Sequence, residues 1–184
     1  MDPKWILAVS SVISLCIAAT VPIGIHISGV LRDRRARELR ASNLSVMLLA
    51  EAAGQVRSLW AVQQCKEWAM TTETMEQMEK FRYRLELRKM PVFDAITSWI
   101  GDMPPSLAEK FSQVYAAKTQ YAGMLEQLYS TDSVFIGKAR YKDLAEMSLA
   151  LLRLIRQLAK DVDNGDLSKQ VIENIEEVLT PPQQ

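Results

Sequence analysis

SLAEKFSQVYAAKTQYAGMLEQL, residues 106–128, sets Leu107, Phe111, Val114, Lys118, Tyr121, Leu125 and Leu128 at an alternating four-three spacing. That period lines one face of an α-helix, with Lys118 as its single polar interruption. Ser106 followed three residues on by Glu109 has the form of a capping box, and Pro104 and Pro105 stand just ahead of it. A long amphipathic helix of this kind has to bury its stripe against another helix.

The next segment supplies one. Beyond a break at Ser130 to Gly137, Tyr141, Leu144, Ser148, Leu151, Ile155, Leu158 and Val162 repeat the register, and Leu152 and Ala159 widen the stripe. Asn164 and Gly165 are expected to stop this helix, with Asp166 capping the next. Leu167, Val171, Ile175 and Val178 then give a short final helix ended by Pro181 and Pro182, which leaves residues 181–184 as a disordered tail.

Upstream the pattern is weaker. Val46, Leu49, Ala53, Val56 and Trp60 predict a helix from Arg32 to about Met70, with Gly54 as its weak point. Thr71 and Thr72, followed by Glu73 and Glu76, read as the start of a second helix. Its later part, FRYRLEL at residues 81–87, alternates with period two as a strand does. No second run of that kind exists to pair with it, so helix is the preferred reading. Pro91 is expected to close this helix, and residues 92–100 to form a short one before Gly101. The predicted fold class is all-α, an antiparallel bundle with short connections, divided into residues 32–70 and residues 71–180.

The N-terminus reads differently. WILAVSSVISLCIAATVPIGIHISGVL, residues 5–31, carries no Asp, Glu, Lys or Arg, and as a helix it extends about 40 Å, more than the roughly 30 Å hydrocarbon core of a bilayer. Residues 1–31 are therefore expected to be a single transmembrane helix. Trp5 suits one interface, and Pro22 and Gly24 are tolerable within the span. Arg32, Arg34, Arg35, Arg37 and Arg40 follow directly. The positive-inside rule places them on the cytoplasmic side against lipid headgroups, with the short N-terminus outside. The expected localisation is the plasma membrane, or the inner membrane in a bacterium. A cleaved leader would end near Ala18 and Thr20, yet the apolar run continues past them. Ser10, Ser14 and Ala18 recur every four residues, a strip on which another membrane helix could pack.

Several chemistries are disfavoured by composition. The 22 Lys plus Arg balance the 22 Asp plus Glu, so no global charge argues for nucleic acid. The one histidine, His26, lies in the apolar run and leaves no imidazole for a nucleophile elsewhere. Cys16 and Cys65 belong to different solvents, so both are expected to be reduced, and no metal cluster is expected from them. The seven glycines are too scattered for a phosphate loop. Glu73, Glu76 and Glu79, like Glu173 and Glu176, read as solvated helix faces. No cofactor, metal or enzymatic activity is expected.

One patch stands out. Arg82, Arg84, Arg88 and Lys89, interleaved with Phe81 and Tyr83, could hold an anionic ligand or partner. The preferred expectation is instead a solvated face that pairs with the acidic end of the chain, residues 161–179. Met70, Met75, Met78 and Met90 could line a groove, although core filling is preferred. The leading functional expectation is a membrane-anchored interaction or scaffold protein that recruits a protein partner or self-associates. The alternatives are a membrane effector whose anchors perturb the bilayer and, less favoured, a carboxylate- or lysine-dependent enzyme at the membrane face.

Overall fold

The computed structural model describes the backbone of residues 3–96, 100–101, 103–162 and 165–179, with side chains from residue 28 onward except at 96. The described residues are mostly helical, with no strand among them. The helices are α1 (Pro3–Ala53), α2 (Val56–Gln64), α3 (Lys66–Thr71), α4 (Met75–Glu79), α5 (Arg82–Leu85), α6 (Pro91–Ile96), α7 (Pro105–Tyr129), α8 (Val134–Asp161) and α9 (Gly165–Leu179). The chain divides into two units, Met1–Arg40 and Ala41–Gln184.

In the first unit the backbone is helical, and residues 31–40 are exposed along their whole length. Arg34 pairs with Glu38 one turn on at 2.9 Å. Among the described residues no helix is long and apolar enough to cross a membrane. The side chains of the apolar run up to residue 27, with Ser10, Ser14, Ala18 and His26, lie outside the described residues.

The second unit is organised around α8. Tyr141, Leu144, Ser148, Leu151, Ile155 and Leu158 form one buried ridge of this helix, and Ala145, Leu152 and Ala159, seven residues apart, form a second beside it. A stripe that wide faces neighbours on two sides, and α8 packs on α7 and α9 and on the short helices α2 and α3. From α7, Leu107, Phe111, Val114, Ala117, Tyr121, Leu125 and Leu128 meet it. Lys118 stays at the edge of the seam, its ammonium 5.8 Å from the Tyr115 ring. Val171 and Ile175 complete the core from α9. At the α8 C-terminus, Ser168 donates to the Val162 carbonyl at 2.8 Å, satisfying an acceptor that the helix itself leaves open.

Five sequence expectations change at the boundaries. The helix expected over residues 32–70 is broken after Ala53 and again at Cys65. The second helix expected from Thr71 is two short ones, α4 and α5. Its start is Thr74, which accepts from the Gln77 N–H at 3.3 Å, while Thr71 and Thr72 bond back to the Trp68 carbonyl and close α3. Pro91 opens α6 rather than closing its predecessor, as its fixed φ and absent N–H allow at a first helical position. The Ser106–Glu109 capping box does not form, because Pro105 starts α7 one residue earlier. Gly165 begins α9 instead of stopping α8, which ends at Asp161; Asp166 lies in the first turn of α9, and Asn164 lies outside the described residues.

Short helices have few internal hydrogen bonds for the backbone groups at their ends, so partners must come from elsewhere. Here the long helices supply them. Tyr141 of α8 donates its hydroxyl to the Val62 carbonyl in the last turn of α2 at 2.8 Å. Tyr121 of α7 donates to the Leu85 carbonyl at the end of α5 at 2.7 Å. Glu51 of α1 accepts from the first two N–H groups of α6, Val92 at 2.7 Å and Phe93 at 3.0 Å, through its two carboxylate oxygens. In return, Gln63 of α2 donates to the Ala145 carbonyl at 2.8 Å and to the Ser148 hydroxyl at 2.6 Å on α8.

The methionines mostly fill the core. Met78 and Met90 are buried, whereas Met70 is exposed. Met75 lies over Gly137, where an added Cβ would meet its sulfur at 2.7 Å and the Met78 sulfur at 3.5 Å. That absent side chain lets α4 approach α8.

Tyr121→Phe and Tyr141→Phe each leave a buried carbonyl unpaired and are expected to cost about 1–3 kcal/mol, read as a lower urea midpoint at unchanged slope. Burial pushes both phenols well above their ordinary value. A group whose proton affinity is raised by folding stabilises the fold below its unfolded pKa, about 10 for tyrosine, and loses that contribution as pH rises further. Phenolate absorbance from these two residues should therefore appear above pH ~10 together with loss of helicity, as one transition. Ionisation with the helices intact would contradict the burial.

Candidate interaction surface

The basic and aromatic residues around 81–89 are brought against α2. A groove of about 730 Å³ runs between α2 and α5, with Arg57, Trp60, Gln64 and Cys65 on one wall and Tyr83, Arg84 and Arg88 on the other. It is shallow. Tyr83 is 68% exposed and Trp60 43%, so a small molecule would keep much of its own surface in water, unlike one held in an enclosing pocket.

The four cations predicted as one patch separate into different environments. Arg84 and Arg88 line the groove. The Arg84 guanidinium lies 5.5 Å from the Phe81 ring, and its Nε donates to the Tyr83 hydroxyl at 3.0 Å. Arg82 faces away, over the Tyr129 ring at 5.2 Å, and pairs with Glu86 at 3.4 Å. Lys89 is exposed and outside the groove. Phe81 contributes as a strut, its ring 4.0 Å from that of Trp68 in a tilted contact that fixes α5 against α3.

Among the described residues the acidic end of the chain does not neutralise this patch, contrary to the preferred expectation. Asp161 pairs with Lys110, and Glu176 with Arg156. Among the described residues no carboxylate pairs with Arg57, Arg84 or Arg88. Three guanidinium groups thus share a wet, partly apolar groove in which the one acid, Glu86, is already engaged. Arginine in this setting favours carboxylate or phosphate oxygens, and flanking rings favour apolar or planar groups.

The sequence pattern conceals Arg57 and Trp60 as groove residues, because Trp60 fits an apolar register, 46/49/53/56/60. The buried register is Ser45, Leu48, Leu49, Ala52, Gln55, Leu59 and Val62. Its spacing is equally regular, but it passes through two polar residues, Ser45 and Gln55. Gln55 is half satisfied there: its amide nitrogen donates to the Glu51 carbonyl at 3.1 Å, while its buried Oε1 has no partner among the described residues. With Gln55 inside, Trp60 and Arg57 turn outward.

Elsewhere, titratable groups serve packing. Tyr115 donates to Asp94 at 2.8 Å and stacks on Phe93 at 4.1 Å. Partial burial lowers the proton affinity of Lys118 against the opposing pull of Asp94 and Glu51, and Lys118 lines neither this groove nor its neighbour described below. Among the described residues no group of three or more His, Cys, Asp or Glu is placed to hold a metal ion. Arg32, Arg35 and Arg37 are exposed on α1, and Arg40 donates to the Ala36 carbonyl at 3.2 Å.

Burial pushes the Cys65 thiol up, and Arg84 offsets this in part. In a Cys16→Ser background, alkylation of Cys65 by iodoacetamide at pH 8 should therefore slow further in Arg84→Ala, by up to about fivefold for a partly exposed charge. A faster reaction would mean that the guanidinium shields the sulfur sterically instead. No family model, curated protein or solved structure matches the chain.

Proposed function

We propose that this chain is a membrane-anchored interaction protein. Residues 5–31 form a single-pass anchor with the N-terminus outside, and the helical bundle works on the cytoplasmic side, where it recruits a protein partner or its own copies. The observation that carries the reading is the 27-residue run without a charged side chain, residues 5–31, followed at once by Arg32, Arg34, Arg35, Arg37 and Arg40. A run of that length satisfies its backbone internally as a helix and spans a bilayer with some tilt. The arginines then act twice, as a topology signal and as contacts to anionic headgroups worth about 1 kcal/mol each.

The bundle supports the interaction part of the reading. Its buried hydroxyls on Tyr121, Tyr141, Ser148 and Ser168 are all engaged with backbone carbonyls inside the fold. Its outward-facing groove instead carries Trp, Tyr and Arg, the residue types that dominate protein interfaces.

The test is fractionation with alkaline carbonate. The full chain should remain in the membrane pellet, and residues 32–184 should appear in the supernatant with a helical circular dichroism spectrum. In sealed cytoplasm-in cells, external protease should leave the bundle intact. Extraction of the full chain by carbonate, or recovery of residues 32–184 only as unfolded aggregate, would sink the reading.

A further inference from the structure

The groove between α2 and α5 does not end at Trp60. A second groove of about 350 Å³ continues from it between α2 and α9, and Arg57 and Trp60 line both. Together they make one surface whose charge changes sign along its length. Arg84 and Arg88 stand at the α5 end. Glu177 stands at the α9 end, with exposed Glu173 one turn earlier on the same stripe. Apolar Val56 and Val178 lie on that side of the half-exposed Trp60. Among the described residues Glu173 and Glu177 have no cationic partner, just as Arg57, Arg84 and Arg88 have no anionic one.

We propose that this surface docks on the same surface of a second copy, about a two-fold axis passing near Trp60. A two-fold contact places each residue of one copy against the residue its own counterpart faces. A surface with cations at one end, acids at the other and an aromatic residue between is self-complementary under that operation. Arg84 and Arg88 of each copy come over Glu173 and Glu177 of the other. Arg57 and Trp60 flank the axis, where a guanidinium can lie over an indole face. A chain with equal numbers of positive and negative side chains has no net repulsion to overcome. The groove is too open to enclose a small anion, and an anionic surface or polymer would leave Glu173 and Glu177 facing like charge. The inference rests on the interaction-protein reading and names the partner, and it holds with or without the anchor.

The experiment is sedimentation of the full chain in detergent micelles across a concentration and salt series. The wild type should form a dimer that weakens as salt is raised. Arg84→Glu with Arg88→Glu sets acid against acid at both ends of the contact, and Glu173→Arg with Glu177→Arg sets cation against cation. Each pair should raise the dissociation constant on the order of a hundredfold. Trp60→Ala should raise it about tenfold. Mixing the two charge-reversed variants should restore the dimer, because both ends are then matched. Circular dichroism checks folding, and Arg84→Gln with Arg88→Gln gives the same contrast, smaller, should a reversal unfold the chain. A monomeric wild type would overturn the inference and point to a foreign partner. Dimers indifferent to both reversals would overturn it in favour of anchor contacts through Ser10, Ser14 and Ala18. A mixture that stays monomeric would overturn it as well. Each of these outcomes leaves the carbonate test of the anchor untouched, so the two readings fail separately.

Discussion

Helix ends are the constraint on which this fold turns. Between Ala53 and Pro105 the described residues include five α-helices of four to nine residues, lengths at which an isolated helix is not stable in water because nucleation costs more than a few hydrogen bonds return. Each end presents backbone donors or acceptors with no partner of its own. The bundle resolves this by lending side chains from long helices: Tyr141 to α2, Tyr121 to α5, Glu51 to α6. Each acts at long range along the chain, and the two tyrosines also bury large rings in the core. One residue therefore does the work of both a core side chain and a cap. This explains how a segment with so little regular structure of its own can bury Leu59, Val62, Ala69, Met78, Leu85 and Met90 in the common core.

The same feature sets what could be read from the sequence. The stripes of α7 and α8 were legible because both helices are long enough for the period to repeat, and their residues from Leu107 to Leu128 and Tyr141 to Leu158 are the ones that face inward. The segment from Ala53 to Pro105 was not, since a helix of one or two turns gives no period to count, and the groups that cap it lie dozens of residues away. Pro91 illustrates the ambiguity: proline ends one helix or begins another, and the choice here depends on the Glu51 carboxylate, which accepts from Val92, 41 residues downstream of it. Gln55 illustrates a second. A polar residue inside the core register makes the wrong face of α2 look like the apolar one, so the pattern points Trp60 inward. The basic residues at 82–89 were visible as a cluster, but only the fold shows that Arg84 and Arg88 share a groove with Arg57 while Arg82 turns to Tyr129 and Glu86.

The distribution of charge follows from packing as much as from composition. Glu176 and Asp161 are drawn off by Arg156 and Lys110 on the faces of α7 and α8. Exposed pairs of this kind contribute little to stability, about 1 kcal/mol or less, yet they decide which charges remain unmatched. Arg57, Arg84, Arg88 and Glu177, which line the grooves beside α2, are outside these pairs, with Arg84 and Arg88 toward α5 and Glu177 toward α9. A neutral chain thus presents a polar axis on one of its faces.

The lent caps also bear on the order in which the molecule is made. Synthesis runs from the N-terminus, so α2 through α6 emerge before α7 and α8 exist. Tyr121 and Tyr141, which close the ends of α5 and α2, arrive dozens of residues after the carbonyls they bond. The α7–α8 pair, joined by the short turn at residues 130–133, can form by local contacts as soon as it is free, and contacts close in sequence form early. The middle of the chain then gains its structure by condensing onto a hairpin that was translated after it. Until then its apolar residues are without cover in a nascent chain, which makes the interval between residue 53 and the completion of α8 the period of greatest exposure to aggregation or to capture by a chaperone.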